Sequence, residues 1–147
     1  MLNVNNLNAY YGESHVLKDV SIAVKEGEVV VMLGPNGHGK STLLKSICGL
    51  VDKTEGKITY QNRDINGLVT EKLVDLGVIY ISENRELFPY MTVLENLKLG
   101  AYTKNARPHE KENLERVFAL FPRLVERRKQ FASTMSGGEA RMLAVAR

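Results

Sequence analysis

A single cysteine, Cys48, stands in the 147 residues. Such a chain can form neither an intramolecular disulfide nor a cysteine-built zinc cage, and a reducing compartment suits it. Cys48 itself reads as a small buried hydrophobe. Long apolar runs are also missing: none approaches the roughly 18 to 20 residues needed to cross a bilayer as a helix. The opening "MLNVNNLNAYYG" lacks the basic start and apolar stretch of a secretory signal. The expectation is therefore no membrane span of its own, so that any membrane role comes through a partner. Nor is there an excess of one charge. Twenty Lys and Arg against 17 Asp and Glu leave a formal +3, and the two signs are interspersed as on a solvated surface, not a nucleic-acid arm. Tandem repeats and low-complexity segments are absent. What is present is a 44% hydrophobic content, which at this length supports one compact domain or most of one.

The N-terminal half has strand character. Leu2, Val4 and Leu7 alternate with polar residues, and "HVLKDVSIAV" continues this up to a turn at Glu26, Gly27 and Glu28. "EVVVML" (28 to 33) is nearly all apolar and β-branched, the composition of a strand covered on both faces. From Lys40, "KSTLLKSICGL" predicts a helix that Gly49 closes in a left-handed cap. "GKITY" (56 to 60) and "LGVIYIS" (76 to 82) predict further strands. Beyond them the pattern turns helical. Thr92 with Glu95 forms a capping box ahead of "VLENLKLGAY", while Leu114, Val117, Phe118 and Phe121 keep helical spacing before Pro122. Ser136 with Glu139 forms a second capping box, with two glycines between them and an apolar run after. The expected fold class is α/β with a helical lobe.

Gly34, Gly39, Lys40 and Ser41 satisfy G-x-x-x-x-G-K-[ST], set between a predicted strand and a predicted helix. The chemistry requires these types. Glycines let the backbone curl so that successive N–H groups point at phosphate oxygens, and the following helix adds its dipole. Lys40 is expected to reach the β- and γ-phosphates, and the Ser41 hydroxyl to ligate Mg²⁺, a hard ion that prefers oxygen. The backbone of Pro35, Asn36, Gly37, His38 and Thr42 completes the cradle, the His38 ring pointing to solvent. A phosphate loop alone fits kinases, GTPases, helicases and transport ATPases. The N-K-x-D element usual in guanine-specific proteins does not occur.

With this loop and Met135-Ser136-Gly137-Gly138-Glu139 in one chain, the sequence resembles the ATP-binding-cassette family, whose signature is usually L-S-G-G-Q. Met keeps the apolar anchor, and Glu keeps a capping side chain. The resemblance spans nearly all 147 residues. It implies a P-loop NTPase core with N-terminal antiparallel β strands and a helical subdomain: about 1–91 the β-rich core, about 92–140 the helical lobe and 136–147 the signature helix. It also implies ATP and Mg²⁺ as cofactors. Tyr11, followed by Gly12, matches the aromatic that stacks on adenine. Glu83 stands where most members carry a glutamine contacting Mg²⁺ and the attacking water. "YYGESHVLKDVS", "ENRELFPYMTVLENL" and "LFPRLVERRKQFASTMSGGE" are most similar to ATPase subunits of branched-chain amino acid importers.

Such subunits pair head to tail, Ser136, Gly137, Gly138 and Glu139 of one copy meeting the γ-phosphate held by the other. The implied partners are thus a second nucleotide-binding subunit, identical or paralogous, and transmembrane permease subunits, met through residues 84 to 91 with Phe88, Pro89 and Tyr90. The implied place is cytoplasmic, on the inner face of the membrane, with no direct nucleic-acid contact. In the family the Mg²⁺-binding aspartate, the water-polarising glutamate and the switch histidine follow the signature helix. The expectation is accordingly the N-terminal part of an ATPase, ending before that segment and without appreciable turnover alone. Two other readings stand beside transport: a soluble member acting on ribosomes or nucleic acid, and a non-catalytic ATP-dependent dimerisation module. Arg123, Arg127, Arg128 and Lys129 read as a solvated helix face.

Overall fold

The computed structural model describes residues 1–82 and 86–147. The chain divides into two compact units, Met1–Tyr80 and Ile81–Arg147, so the segment before Thr92 belongs with the helices that follow it.

The first unit is built on an antiparallel sheet of order β2-β1-β3-β4, from β1 (Leu2–Tyr11), β2 (Ser14–Val24), β3 (Lys53–Tyr60) and β4 (Arg63–Asp64). The strand expected at the N-terminus is present, with Leu2 of β1 paired with Val24 and Tyr11 with Ser14. Between them the register shifts, and Asn6 and Asp19 take left-handed backbone conformations. These irregularities bend the sheet so that Val4, Leu7, Ala9 and Leu17 all reach one core with Ile58. Helix α1 (Lys40–Ile47) closes that core with Leu43 and Ile47. Its end has the form expected from Gly49: that residue is left-handed, its N–H bonds to the Ser46 carbonyl, and the Leu50 N–H bonds to that of Lys45.

Two predicted strands are not strands. Residues 28–33 are irregular and join no ladder among the described residues, and Val29, Val31 and Leu33 are 87%, 72% and 91% exposed. Only Met32 packs against the core. A run of β-branched residues states a preference for burial, yet burial of a strand needs neighbours on its edges, and the described residues supply none. Residues 76–82 fail as a strand for a second reason. Leu76 and Gly77 end a short helix, α2 (Thr70–Asp75), in the same glycine cap as α1, with the Val78 N–H bonded to the Leu73 carbonyl. Leu73 anchors α2 in the first core. Helix α2 escaped the sequence reading because six residues are too few to display a helical period.

The second unit is helical: α3 (Val93–Leu99), α4 (Glu110–Leu120), α5 (Pro122–Glu126) and α6 (Gly137–Ala146), packed around Val93, Leu97, Leu124 and Leu143. Both predicted capping boxes are present, Thr92 with Glu95 and Ser136 with Glu139. Pro122 ends α4 and also opens α5, where its missing N–H costs nothing. Asn96 is fully buried among the apolar residues of α3. Its amide accepts from the Phe88 N–H and donates to the carbonyls of Phe88, Met91 and Thr92, which fixes the turn before α3.

Gly56 is the tightest point of the sheet. It faces the bulge of β1 with φ at 102°, and a methyl group there would lie 2.7 Å from the Asn5 carbonyl oxygen and closer still to that of Asn6. Gly56→Ala must therefore part β1 from β3. Denaturant melts are expected to show a loss of about 2 kcal/mol or more. A wild-type midpoint for the variant would contradict this packing.

Candidate functional site

The phosphate loop lies in the first unit. Its shape comes from Gly37 and Gly39, both left-handed at φ 83° and 80°. Gly39 is the N-cap of α1 and sits against Leu17 of β2, so the loop is tied to the sheet core as well as to the helix. No protein acceptor among the described residues takes the backbone N–H groups of residues 36–42. The first N–H spent on the protein is that of Leu43, to the Gly39 carbonyl at 2.9 Å. Here the residues themselves fit an anion: unspent donors, a helix N-terminus, and the ammonium of Lys40. The Lys40 Nζ donates to the carbonyls of Gly34 at 2.7 Å and Pro35 at 2.6 Å, which folds the side chain back over the loop. The Ser41 hydroxyl is exposed at the first turn of α1, as a hard-cation ligand must be. Thr42 is half-buried, and its carbonyl accepts from the Ser46 hydroxyl. The exposed ring of His38 bonds through Nδ1 to the Asn36 carbonyl at 3.1 Å.

Tyr11 ends β1 two residues after the buried Ala9, on the same face of the strand, and is 37% exposed. Its neighbour Tyr10 points the other way. There it stacks on His15 at 4.4 Å between ring centres, with its hydroxyl on Glu55 and Lys53 5.0 Å from its ring. Tyr10 is thus occupied by protein contacts, whereas among the described residues the Tyr11 ring has no such stacking or hydroxyl partner. The Gly12 N–H bonds to Asp52 at 2.8 Å, which steadies the hairpin end behind it. Glu83, expected near Mg²⁺ and water, lies outside the described residues, as does Asn84 at the start of the expected docking segment. Among the described residues no group of three or more His, Cys, Asp or Glu is placed to hold a metal.

The signature lies in the second unit. At the tip of α6 the Ser136 hydroxyl donates to Glu139 Oε2 at 2.9 Å and accepts from the Glu139 N–H, and the Ser136 N–H donates to the same Oε2 at 3.0 Å. Met135 packs into the second core behind them. Gly138 is helical and a methyl group on it would meet nothing within 4 Å, so neither backbone nor packing requires glycine there.

Arg127 was not recognised from sequence. Read there as part of a solvated face, it places its Nε 2.6 Å from Glu139 Oε1, although not aligned for a hydrogen bond. Twelve residues separate the two, and no local periodicity reports such a pair. Phe88, Pro89 and Tyr90 do form an exposed patch, Tyr90 at 88%.

The Ser136 backbone N–H, and then its hydroxyl, hold the Glu139 carboxyl below the usual range; the Thr92 hydroxyl, and then its N–H, do the same for Glu95. A carboxyl with a depressed folded-state pKa stabilises above its unfolded pKa of about 4.3, and that contribution disappears as pH falls through the folded value. The helical unit is therefore expected to lose stability on acidification below about pH 5. Glu139→Gln, which keeps the cap without the charge, should flatten that limb in pH-dependent thermal melts. An unchanged acid limb would show that the cap does not titrate.

Three comparisons bear on this geometry. The family model described as ABC transporter matches residues 17–147. The high-affinity branched-chain amino acid transport ATP-binding protein BraG of Pseudomonas aeruginosa is 40% identical over all of this chain and 63% of its own length. The probable branched-chain amino acid transport ATP-binding protein LivF of Archaeoglobus fulgidus is 40% identical over 99% of this chain and 61% of its own. A glutamine transport ATP-binding protein of Geobacillus stearothermophilus also matches, at 34% identity over 100% of this chain and 62% of its own. Among solved structures, a dimeric bacterial ABC transporter cassette superposes with a TM-score of 0.75 at 30% identity, over 99% of this chain and 68% of that one. The chain thus spans about 60% of the length of the curated relatives it matches. The α/β fold, the phosphate loop and the signature tip are those of one family, and this chain belongs to the ABC transporter family.

Proposed function

We propose that this chain is the nucleotide-binding part of an ATPase that powers import of branched-chain amino acids or similar small solutes. The observation that carries the reading is the run of unspent backbone N–H groups at residues 36–42, beneath the ammonium of Lys40. The donors of Gly37, His38, Gly39, Lys40, Ser41 and Thr42 receive the phosphates of ATP, and the Lys40 ammonium exchanges two carbonyls for β- and γ-phosphate oxygens. Tyr11 stacks on the adenine. Ser41, with Glu83, holds Mg²⁺, which when bound neutralises phosphate charge and orients the terminal group for attack by water. The names of the two relatives at 40% identity support the cargo.

Ser136 and the amides of Gly137, Gly138 and Glu139 meet the γ-phosphate held by a second cassette, so that ATP joins the two. Gly138 supports this reading. Gly138 is the second residue of α6, where glycine still gives up backbone freedom that alanine would not, and no contact among the described residues calls for its missing side chain. Close approach of another molecule does. Loss of the γ-phosphate removes the joining contact, and the opening is passed to permease subunits that seat on Phe88, Pro89 and Tyr90 at the inner face of the membrane.

Two measurements test this. In MgATP titrations, Lys40→Ala is expected to weaken binding about 10- to 100-fold, and Tyr11→Ala about tenfold. Equal affinity in wild type and both variants overturns the nucleotide site. Gly138→Ala is expected to raise the thermal midpoint, while MgATP-dependent association in sedimentation velocity falls at least about tenfold. Association at the wild-type level would remove the signature from the interface.

A further inference from the structure

Glu139 poses an electrostatic problem for the reading just given. Its carboxylate stands at the tip of α6, 2.9 Å from the hydroxyl that is to meet a phosphate. A helix N-terminus carries roughly half a positive charge. With a full negative charge on Glu139 the tip sums to about half a unit negative, and it repels an anion. The neutral amide of a glutamine in its place would bring no such repulsion.

The arrangement around Glu139 reverses the sum. Oε2 is taken by the N–H and hydroxyl of Ser136, and Oε1 faces the Arg127 guanidinium, with Nε at 2.6 Å. The guanidinium is not a swinging surface charge. Its Nε is buried, and its Nη1 donates to Gln130 Oε1 at 2.8 Å. Gln130 in turn donates to the Thr134 carbonyl and hydroxyl oxygen, and the Thr134 hydroxyl donates to the Phe131 carbonyl. The chain of bonds ties Arg127 to the turn leading into the signature. Arg123, the other cation close to Glu139, is paired with Glu126 at 2.9 Å and adds no net charge. With Arg127 counted, the tip returns to about half a unit positive.

We propose that Arg127 is a positioning residue whose charge cancels that of Glu139, holding the carboxylate inward so that the Ser136 tip can accept a phosphate anion. The proposal rests on the reading that this tip meets the nucleotide of a second cassette. It assigns Arg127 a function conditional on the acid at 139, since a chain with glutamine there has no charge to cancel.

The test is MgATP-dependent association, measured by sedimentation velocity, of wild type, Arg127→Lys, Arg127→Met, Glu139→Gln and the Arg127→Met/Glu139→Gln pair, with thermal melts alongside. Arg127→Met is expected to weaken association about tenfold, and Arg127→Lys to stay within about threefold of wild type. The double variant should match Glu139→Gln alone within about twofold. A purely structural arginine would not be relieved by removing its partner's charge. A double variant as weak as Arg127→Met overturns the proposal. So does Arg127→Met associating like wild type, or unfolding of Arg127→Met and the double variant together. If wild type itself shows no MgATP-dependent association, it is the reading of the signature tip that fails, and this inference falls with it.

Discussion

The unspent amides of residues 36–42 are the constraint on which the first unit depends. These residues are exposed or half-buried, so water can take the N–H groups that no protein acceptor takes, and what the fold must supply is the curl that keeps them in one row. Gly37 and Gly39 provide the left-handed turns, and Leu17 at Gly39 ties the loop to the sheet. Leu43 and Ile47 fix α1 in the core, and the Gly49 cap stops it cleanly. The core residues of α1 and β2 thus act as the scaffold of a row of donors. The same scaffold leaves the Lys40 ammonium on two loop carbonyls, neutral acceptors that a phosphate oxygen outcompetes by its charge.

What was legible in the sequence is what neighbouring residues decide among themselves. Capping boxes at Thr92 and Ser136 are four-residue patterns, and both form. The Gly49 cap is a φ requirement of a single residue and is left-handed as expected, and Gly37 and Gly39 of the loop are left-handed too. Some of the misreadings fall where distant residues decide. Residues 28–33 have the composition of an inner strand, but pairing is settled by partners elsewhere. Gly77 shows how one glycine overrides an apolar run, because a Schellman turn consumes the first residues of the apparent strand. Arg127 met Glu139 across twelve residues and a change of helix, which no period of 3.6 reports. Tyr10 and Tyr11 are indistinguishable by type. Their opposite faces separate them, since one ring is held by His15, Glu55 and Lys53, and the other by nothing comparable.

The two units solve opposite problems. In the first, donors are kept unspent. In the second, the tip of α6 is capped by its own Ser136 and Glu139, a state that is complete without a ligand. A ligand must therefore compete with the cap. On the proposed reading such competition makes binding conditional: the Ser136 hydroxyl would leave the carboxylate only for an acceptor of greater charge, and the carboxylate is already shared with Arg127. A nucleotide lacking the γ-phosphate would offer the tip much less. On the proposed reading, discrimination between the two would follow from differential contact at one oxygen, the requirement any ligand must meet to shift an equilibrium between two states.

Gly138 carries the same logic into the backbone. A helix that served only its own unit would be better built with alanine there, since the space is open and the conformation ordinary. Local choices that oppose stability without an internal reason concentrate where a chain meets something else. Taken together, the unspent donors at 36–42, the self-capped serine and the glycine that no described residue crowds are the features on which the proposed two-sided nucleotide site rests. Neither side is explained by the stability of the unit that carries it.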